Sequence, residues 1–179
     1  MSTPKINVLV GIDFSKFAEQ ALSYALKLVG PMGGSVHLGH VAHCGTYIHD
    51  TTLGPVMPDD FPEAGAARAR LQQLRTELGA EVDVQIHVRL SSSPVEGLLG
   101  LIMELKPDIL VVASHGKGIP MRMLMGSVSN QLALRSPIPV LIVPPPERAQ
   151  LLNQTDALPE PESSTAERAL AMGEGGRVF

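Results

Sequence analysis

The sequence predicts an α/β fold, a mostly parallel sheet with helices on both faces. Three observations predict it. Short apolar runs rich in β-branched residues alternate with longer segments whose apolar residues recur every three or four positions. The run Ile109–Ala113 is apolar at every position, as a strand buried on both faces is. Capping residues, glycines and prolines mark the changes of period. The order is strand, helix, strand, irregular loop, helix, strand, helix, strand, helix, strand. Alternation of this kind implies parallel strands joined by helical crossovers.

The first strand is Ile6–Ile12, closed by Asp13. Ser15 can cap the helix that follows, whose apolar positions are Ala18, Ala21, Leu22, Ala25, Leu28 and Val29. Gly30-Pro31 is expected to stop that helix, and Gly33-Gly34 to turn the chain. Ser35–Val41 forms the second strand and carries His37 and His40. Residues 42–59 show no period, so they read as a long loop, either functional or simply solvated. Asp60-Phe61-Pro62-Glu63 resembles a capping box. Ala64, Ala67, Leu71, Leu74 and Leu78 then give helical spacing up to Gly79.

Val82–Leu90 alternates, with Val82, Val84, Ile86 and Val88 on one face. Asp83, Gln85, His87 and Arg89 occupy the other, which predicts a strand with one wet face at a sheet edge. Ser93-Pro94-Val95-Glu96 combines a cap with proline at the first helical position. Val95, Leu98, Leu99, Ile102 and Leu105 carry this helix to Lys106-Pro107. After the strand Ile109–Ala113 come glycines 116 and 118, then Gly126-Ser127. Leu124, Val128 and Leu132 mark a short helix, and Pro139–Val143 is the last strand. Residues 1–146 read as one domain. Residues 147–179 read as a flexible tail, rich in proline, serine and glycine.

Composition excludes several classes. A net charge of −4 provides no general basic surface, and 3% aromatics without tryptophan provide few platforms for stacking bases, so no nucleic-acid partner is expected. A lone Cys44 rules out an intrachain disulfide framework. Neither a signal peptide nor a membrane span is evident, so a soluble cytoplasmic protein without membrane contact is expected. There is no G-x-S-x-G elbow and no H-E-x-x-H, so no catalytic residue is assigned.

The stretch 109–143 has the order strand, glycine loop, helix start, helix, strand, which is the order of a phosphate-binding unit. Glycines let the backbone approach an anion, and the amides of a helix start favour its charge. Ser127 and Ser129 bring hydroxyls to that helix start, and Lys117 and Arg122 lie in the loop. Asp13 ends the first strand, on the side where an open α/β sheet gathers ligand groups.

These residues resemble the universal stress protein family, and in particular its ATP-binding subgroup. The carriers are Ala113-Ser114-His115-Gly116, nine intervening residues, and Gly126-Ser127, followed by Pro139–Val143. They match the signature G-x2-G-x9-G-[ST] with a Pro-Val-rich last strand. Val10-Gly11-Ile12-Asp13 and His40-Val41 match as well. The one departure is Ala113 in place of the first glycine, a position that needs either a positive φ or only a small side chain.

The resemblance covers about residues 5–143. It implies a three-layer, five-stranded parallel sheet of order 3-2-1-4-5, the adenine-nucleotide alpha-hydrolase-like fold. The binding crevice would lie between the loops after strands one and four. Asp13, Val41 and Val112 would line the base and ribose pocket, and Gly11, Ile12, Ala113 and His115 would also belong to the nucleotide-binding set. Gly116, Gly126, Ser127, Val128 and Ser129 would serve the phosphates of ATP, with Mg²⁺ held through the nucleotide and no metal ligand from the protein. A stress-response dimer, paired through Pro139–Val143 and regulated by nucleotide, would act on an unidentified protein partner. The alternatives are a nucleotide-free dimeric interaction module of the same family and a slow ATPase.

Two other groupings stand out. His40, His43, Cys44, His49 and Asp50 cluster in sequence without paired metal-ligand spacing, so a polar loop is preferred to a metal site. Met121, Met123 and Met125 read as packing of an irregular loop rather than as a partner surface.

Overall fold

Apolar side chains point to both faces of β1 (Ile6–Gly11), and Val8, Leu9 and Val10 are fully buried. That is the burial of a central strand. β1 pairs in parallel with β2 (Gly34–His43) on one side and with β4 (Ile109–Ala113) on the other. Beyond β2 lies β3 (Asp83–Ser91), and beyond β4 lies β5 (Val140–Val143). The sheet order is therefore β3-β2-β1-β4-β5, all parallel. The computed structural model describes residues 5–43, 61–115 and 126–146. These elements belong to one compact unit, Met1–Pro145. The loop over 44–60, the glycine loop 116–125 and the expected tail 147–179 lie outside the described residues.

Two apolar layers cover the sheet. Helices α1 (Lys16–Met32) and α2 (Pro62–Leu78) pack Ala21, Leu22, Ala25, Val29 and Leu71 against Val8, Val10, Val36 and Val111. Helices α3 (Pro94–Leu105) and α4 (Ser127–Arg135) pack Leu98, Leu101, Ile102 and Leu132 against Leu9, Leu110 and Val112 on the opposite face. Burying each of these aliphatic side chains contributes roughly 1.5–3 kcal/mol before the entropy of ordering is subtracted.

The caps explain where the helices start. Ser15 Oγ accepts the Ala18 amide at 3.2 Å, and Ser93 Oγ accepts the Glu96 amide at 3.4 Å. α2 corrects the expectation of a capping box at Asp60. Its cap is Phe61, with no side-chain bond, because Pro62 occupies the first helical turn and fixes φ there. α1 corrects another. It runs through Pro31 to Met32, since a proline in the final turn removes only a bond to the exposed Lys27 turn. The helix ends at Gly33, whose φ of 69° and amide bond to Val29 O close it.

β3 is an edge strand, as its alternation predicts, but its polar face is not fully wet. His87 and Arg89 are half-buried, the first against His37 and the second paired with Glu104 at 3.1 Å. β5 starts at Val140, one residue later than the sequence pattern suggests. Proline has no amide to donate to a ladder, although Pro139 O still accepts from Leu110 N.

Candidate functional site

The strand order reverses between β1 and β4, the position where an open α/β sheet leaves a crevice at its carboxyl end. A cavity of about 310 Å³ lies there, near the lower end of the range for small-molecule sites. Gly11, Ile12 and Asp13 reach it from β1, and Val41 reaches it from β2. Val112, Ala113 and His115 come from the end of β4, and Gly126, Val128 and Ser129 from the start of α4. Segments about a hundred residues apart thus meet at one opening.

Ser127 was expected among these residues. It is exposed on the first turn of α4 and does not line the cavity. Gly116 lies outside the described residues.

The turn after β1 is strained. Phe14 has φ 59°, a left-handed conformation that bulky residues rarely adopt and that costs roughly 1–3 kcal/mol. Its ring lies 4.6 Å from the His40 ring, and the Arg70 guanidinium sits 4.1 Å from its centroid. Beside it Asp13 Oδ1 accepts from the Ser15 amide at 2.9 Å and from Ser15 Oγ at 2.6 Å. The carboxylate is therefore oriented by the cap of α1 while it lines the crevice.

His40 was placed by sequence in a strand and in a candidate metal cluster. It lines the cavity, and its Nδ1 lies 2.7 Å from Ile12 O. A carbonyl only accepts, so the hydrogen sits on Nδ1 and Nε2 carries the lone pair in the neutral ring. Among the described residues no group of three metal-ligating side chains comes together. Cys44, His49 and Asp50 lie outside them.

The other wall is fastened by backbone. Ser114 O accepts the Gly126 amide at 2.7 Å and Ser129 Oγ at 3.1 Å, while Ser129 Oγ is also 3.0 Å from Gly126 O. The Ser129 hydroxyl, in the first turn of α4 as expected, ties the helix start to the end of β4. The amides of the first helical turn still carry the positive end of the helix dipole toward the cavity side. His115 is 4% exposed, with Nδ1 2.9 Å from Ser114 Oγ and its ring 6.2 Å from Phe17.

Ala113 closes β4 in pairing with Val143. Phe14 and Lys106 are the only described non-glycine residues with positive φ, so Ala113 meets no backbone penalty at the departure from the glycine signature.

Sequence reasoning left out Gly39, Pro94, Leu98 and Ser114, all of which line the cavity. Gly39 carried a signal, since a glycine inside an apolar strand marks a close approach. Pro94 and Leu98 read only as a helix start and a core position.

The fold and site define a doubly wound α/β protein with a cleft at its switch point. The chain belongs to the universal stress protein family, whose model matches residues 6–144. A universal stress protein of Mycolicibacterium smegmatis is 31% identical over 143 residues, 79% of this chain and 46% of that protein. The chain spans less than half the length of the mycobacterial relatives it matches. The solved structure of universal stress protein UspA from Lactobacillus plantarum superposes with a TM-score of 0.64 at 20% identity, covering 78% of this chain and 97% of that one, and shows the shared fold. A universal stress protein solved in complex with cAMP has a TM-score of 0.57 at 26% identity, covering 77% and 96%.

Proposed function

We propose that this protein binds an adenine nucleotide, ATP with Mg²⁺, in the crevice between the loops after β1 and β4, and that occupancy regulates a dimer acting in stress response. The observation that carries the reading is the convergence of Asp13, Val41, Ala113, Gly126 and Ser129 on one cavity. The mainly apolar walls of Ile12, Val41, Leu98 and Val112 suit a base and ribose. The α4 N-terminus suits a phosphate. The cAMP complex of a relative with this fold supports an adenine-bearing ligand.

The donor set fits the nucleotide better than a resident metal. With no ligand cluster among the described residues, Mg²⁺ would arrive on the phosphates. The nucleotide would supply negative charge to the α4 end of the cleft, and Asp13 and His40 would fix its opposite end. The exposed edge of β5, with Val140, Leu141 and Ile142 half-buried, would be covered by the same strand of a second copy.

Denaturing the purified protein and weighing the released small molecules by mass spectrometry tests the ligand. Adenine nucleotide in the released fraction is the expected result. Its absence, with no binding of added ATP and Mg²⁺, defeats the reading and leaves the nucleotide-free module. Sedimentation at micromolar concentration should give twice the monomer mass, and a monomer there contradicts the β5 interface.

A further inference from the structure

The cavity wall contributed by Val41 has helix α3 packed directly behind it. A β-carbon added at Gly97 would stand 2.5 Å and 2.6 Å from the two Val41 methyls and 3.2 Å from its Cβ. Real β-carbons do not come that close, so something must move. Val41 is β-branched, and its χ1 is stiff. Val41, Pro94 and Leu98 all line the cavity, and the last two flank Gly97 on α3. Relief by moving Val41 alters one wall, and relief by lifting α3 alters the other.

One turn further along, a β-carbon at Gly100 would also crowd a neighbour, at 2.6 Å from Arg89 Cζ. That atom is the end of a long flexible side chain, paired with Glu104 at 41% exposure. Arg89 does not line the cavity and can swing aside. An added β-carbon would therefore meet similar crowding at the two glycines, with opposite consequences for the site.

We infer that Gly97 is a positioning residue: by letting α3 pack directly against Val41 it sets how far the Val41 wall stands into the cavity, and so selects the flat ring of the ligand by size. This rests on the nucleotide reading above. Gly97 acts through Val41 and touches no ligand itself.

The test compares ATP and CTP binding, each with Mg²⁺, by calorimetry on the full chain. Gly97→Ala is expected to weaken ATP binding about tenfold or more, as overpacking does, and to weaken CTP binding less because its base has one ring. Val41→Ala combined with Gly97→Ala should bring ATP binding back to within about threefold of Val41→Ala alone, since the obstructing methyls are gone. Gly100→Ala should stay within about threefold of the parent. Circular dichroism and melting curves accompany each variant. Should Gly97→Ala not fold, the double variant decides, and a tenfold loss there overturns the inference. Unchanged ATP affinity in a folded Gly97→Ala overturns it while leaving nucleotide binding intact. A parent protein that binds neither nucleotide overturns the earlier reading and this one together.

Discussion

His37 and His40 stand three residues apart on β2 and point to opposite faces of the sheet. His37 is 8% exposed, and both its ring nitrogens are bonded within the fold. Its Nε2 is 3.1 Å from Ser35 Oγ, which itself donates to Asn7 Oδ1 at 2.9 Å. That hydroxyl proton is committed, so His37 Nε2 donates and its Nδ1 accepts from His87 Nε2 at 3.0 Å. His40 is anchored through one nitrogen to the carbonyl of a cavity residue, and its ring forms part of the cavity wall. The contrast separates two uses of an imidazole on one strand. A closed chain of hydrogen bonds stiffens the sheet edge, whereas a ring fixed by backbone beside an opening can meet a ligand.

The largest effect should come from the cavity side. Gly126→Asp places a carboxylate at the cap of α4, where aspartate favours the helix but repels phosphate. ATP affinity is expected to fall about 100-fold, with an unchanged circular dichroism spectrum, because like charges brought together cost several kcal/mol. Unchanged affinity in calorimetry would refute the proposed pose.

His40→Ala should be next. It removes the bond to Ile12 O and the ring beside Phe14, so ATP binding should drop about tenfold, with a stability loss on the order of 1 kcal/mol. If stability falls while affinity holds, His40 belongs with His37 as a structural residue.

The smallest effect concerns the His37–His87 pair and appears only in the pH dependence of stability. Burial holds both imidazoles below the ordinary value of 6.5, and His37 lowers His87 further. Asp83 opposes this at His37, and Glu104 opposes it at His87. With folded values depressed, the unfolded chain binds more protons below about pH 6.5, so stability is present above that pH and is lost as pH falls through the folded values. Melting curves should show a decline of a few degrees between neutral and mildly acidic pH, at roughly 3 °C per kcal/mol for a chain of this size. His37→Leu with His87→Leu should flatten that decline and leave ATP affinity unchanged. A pH profile identical to the parent's would remove the pair from the account.

Much of this arrangement was legible in the residues. Alternating periods announced parallel strands with helical crossovers, and the spaced glycine signature with Asp13 and His40-Val41 pointed to the β1–β4 crevice. What was not legible depended on contacts between distant elements. Pro94 and Leu98 obey the pattern of any amphipathic helix, and only the approach of α3 to β2 turns them into cavity wall. The His37–His87 bond was hidden because the register pairs His37 with Gln85 and Gly39 with His87, so the two rings meet on a diagonal. Ser129 was read as a phosphate-binding residue from its position at a helix start, and its structural bonds were not legible there. Its bonds to Ser114 O and Gly126 O depend on where β4 ends. Pro31 was misjudged for a local reason, since the last turn of a helix tolerates what its middle does not.

The most direct test is a calorimetric titration of the unmodified protein with ATP and Mg²⁺ at neutral pH. The crevice between the loops after β1 and β4 predicts a saturable isotherm with one nucleotide per chain. A flat isotherm on folded, nucleotide-free protein would contradict it and leave the cleft as inherited architecture without its ligand.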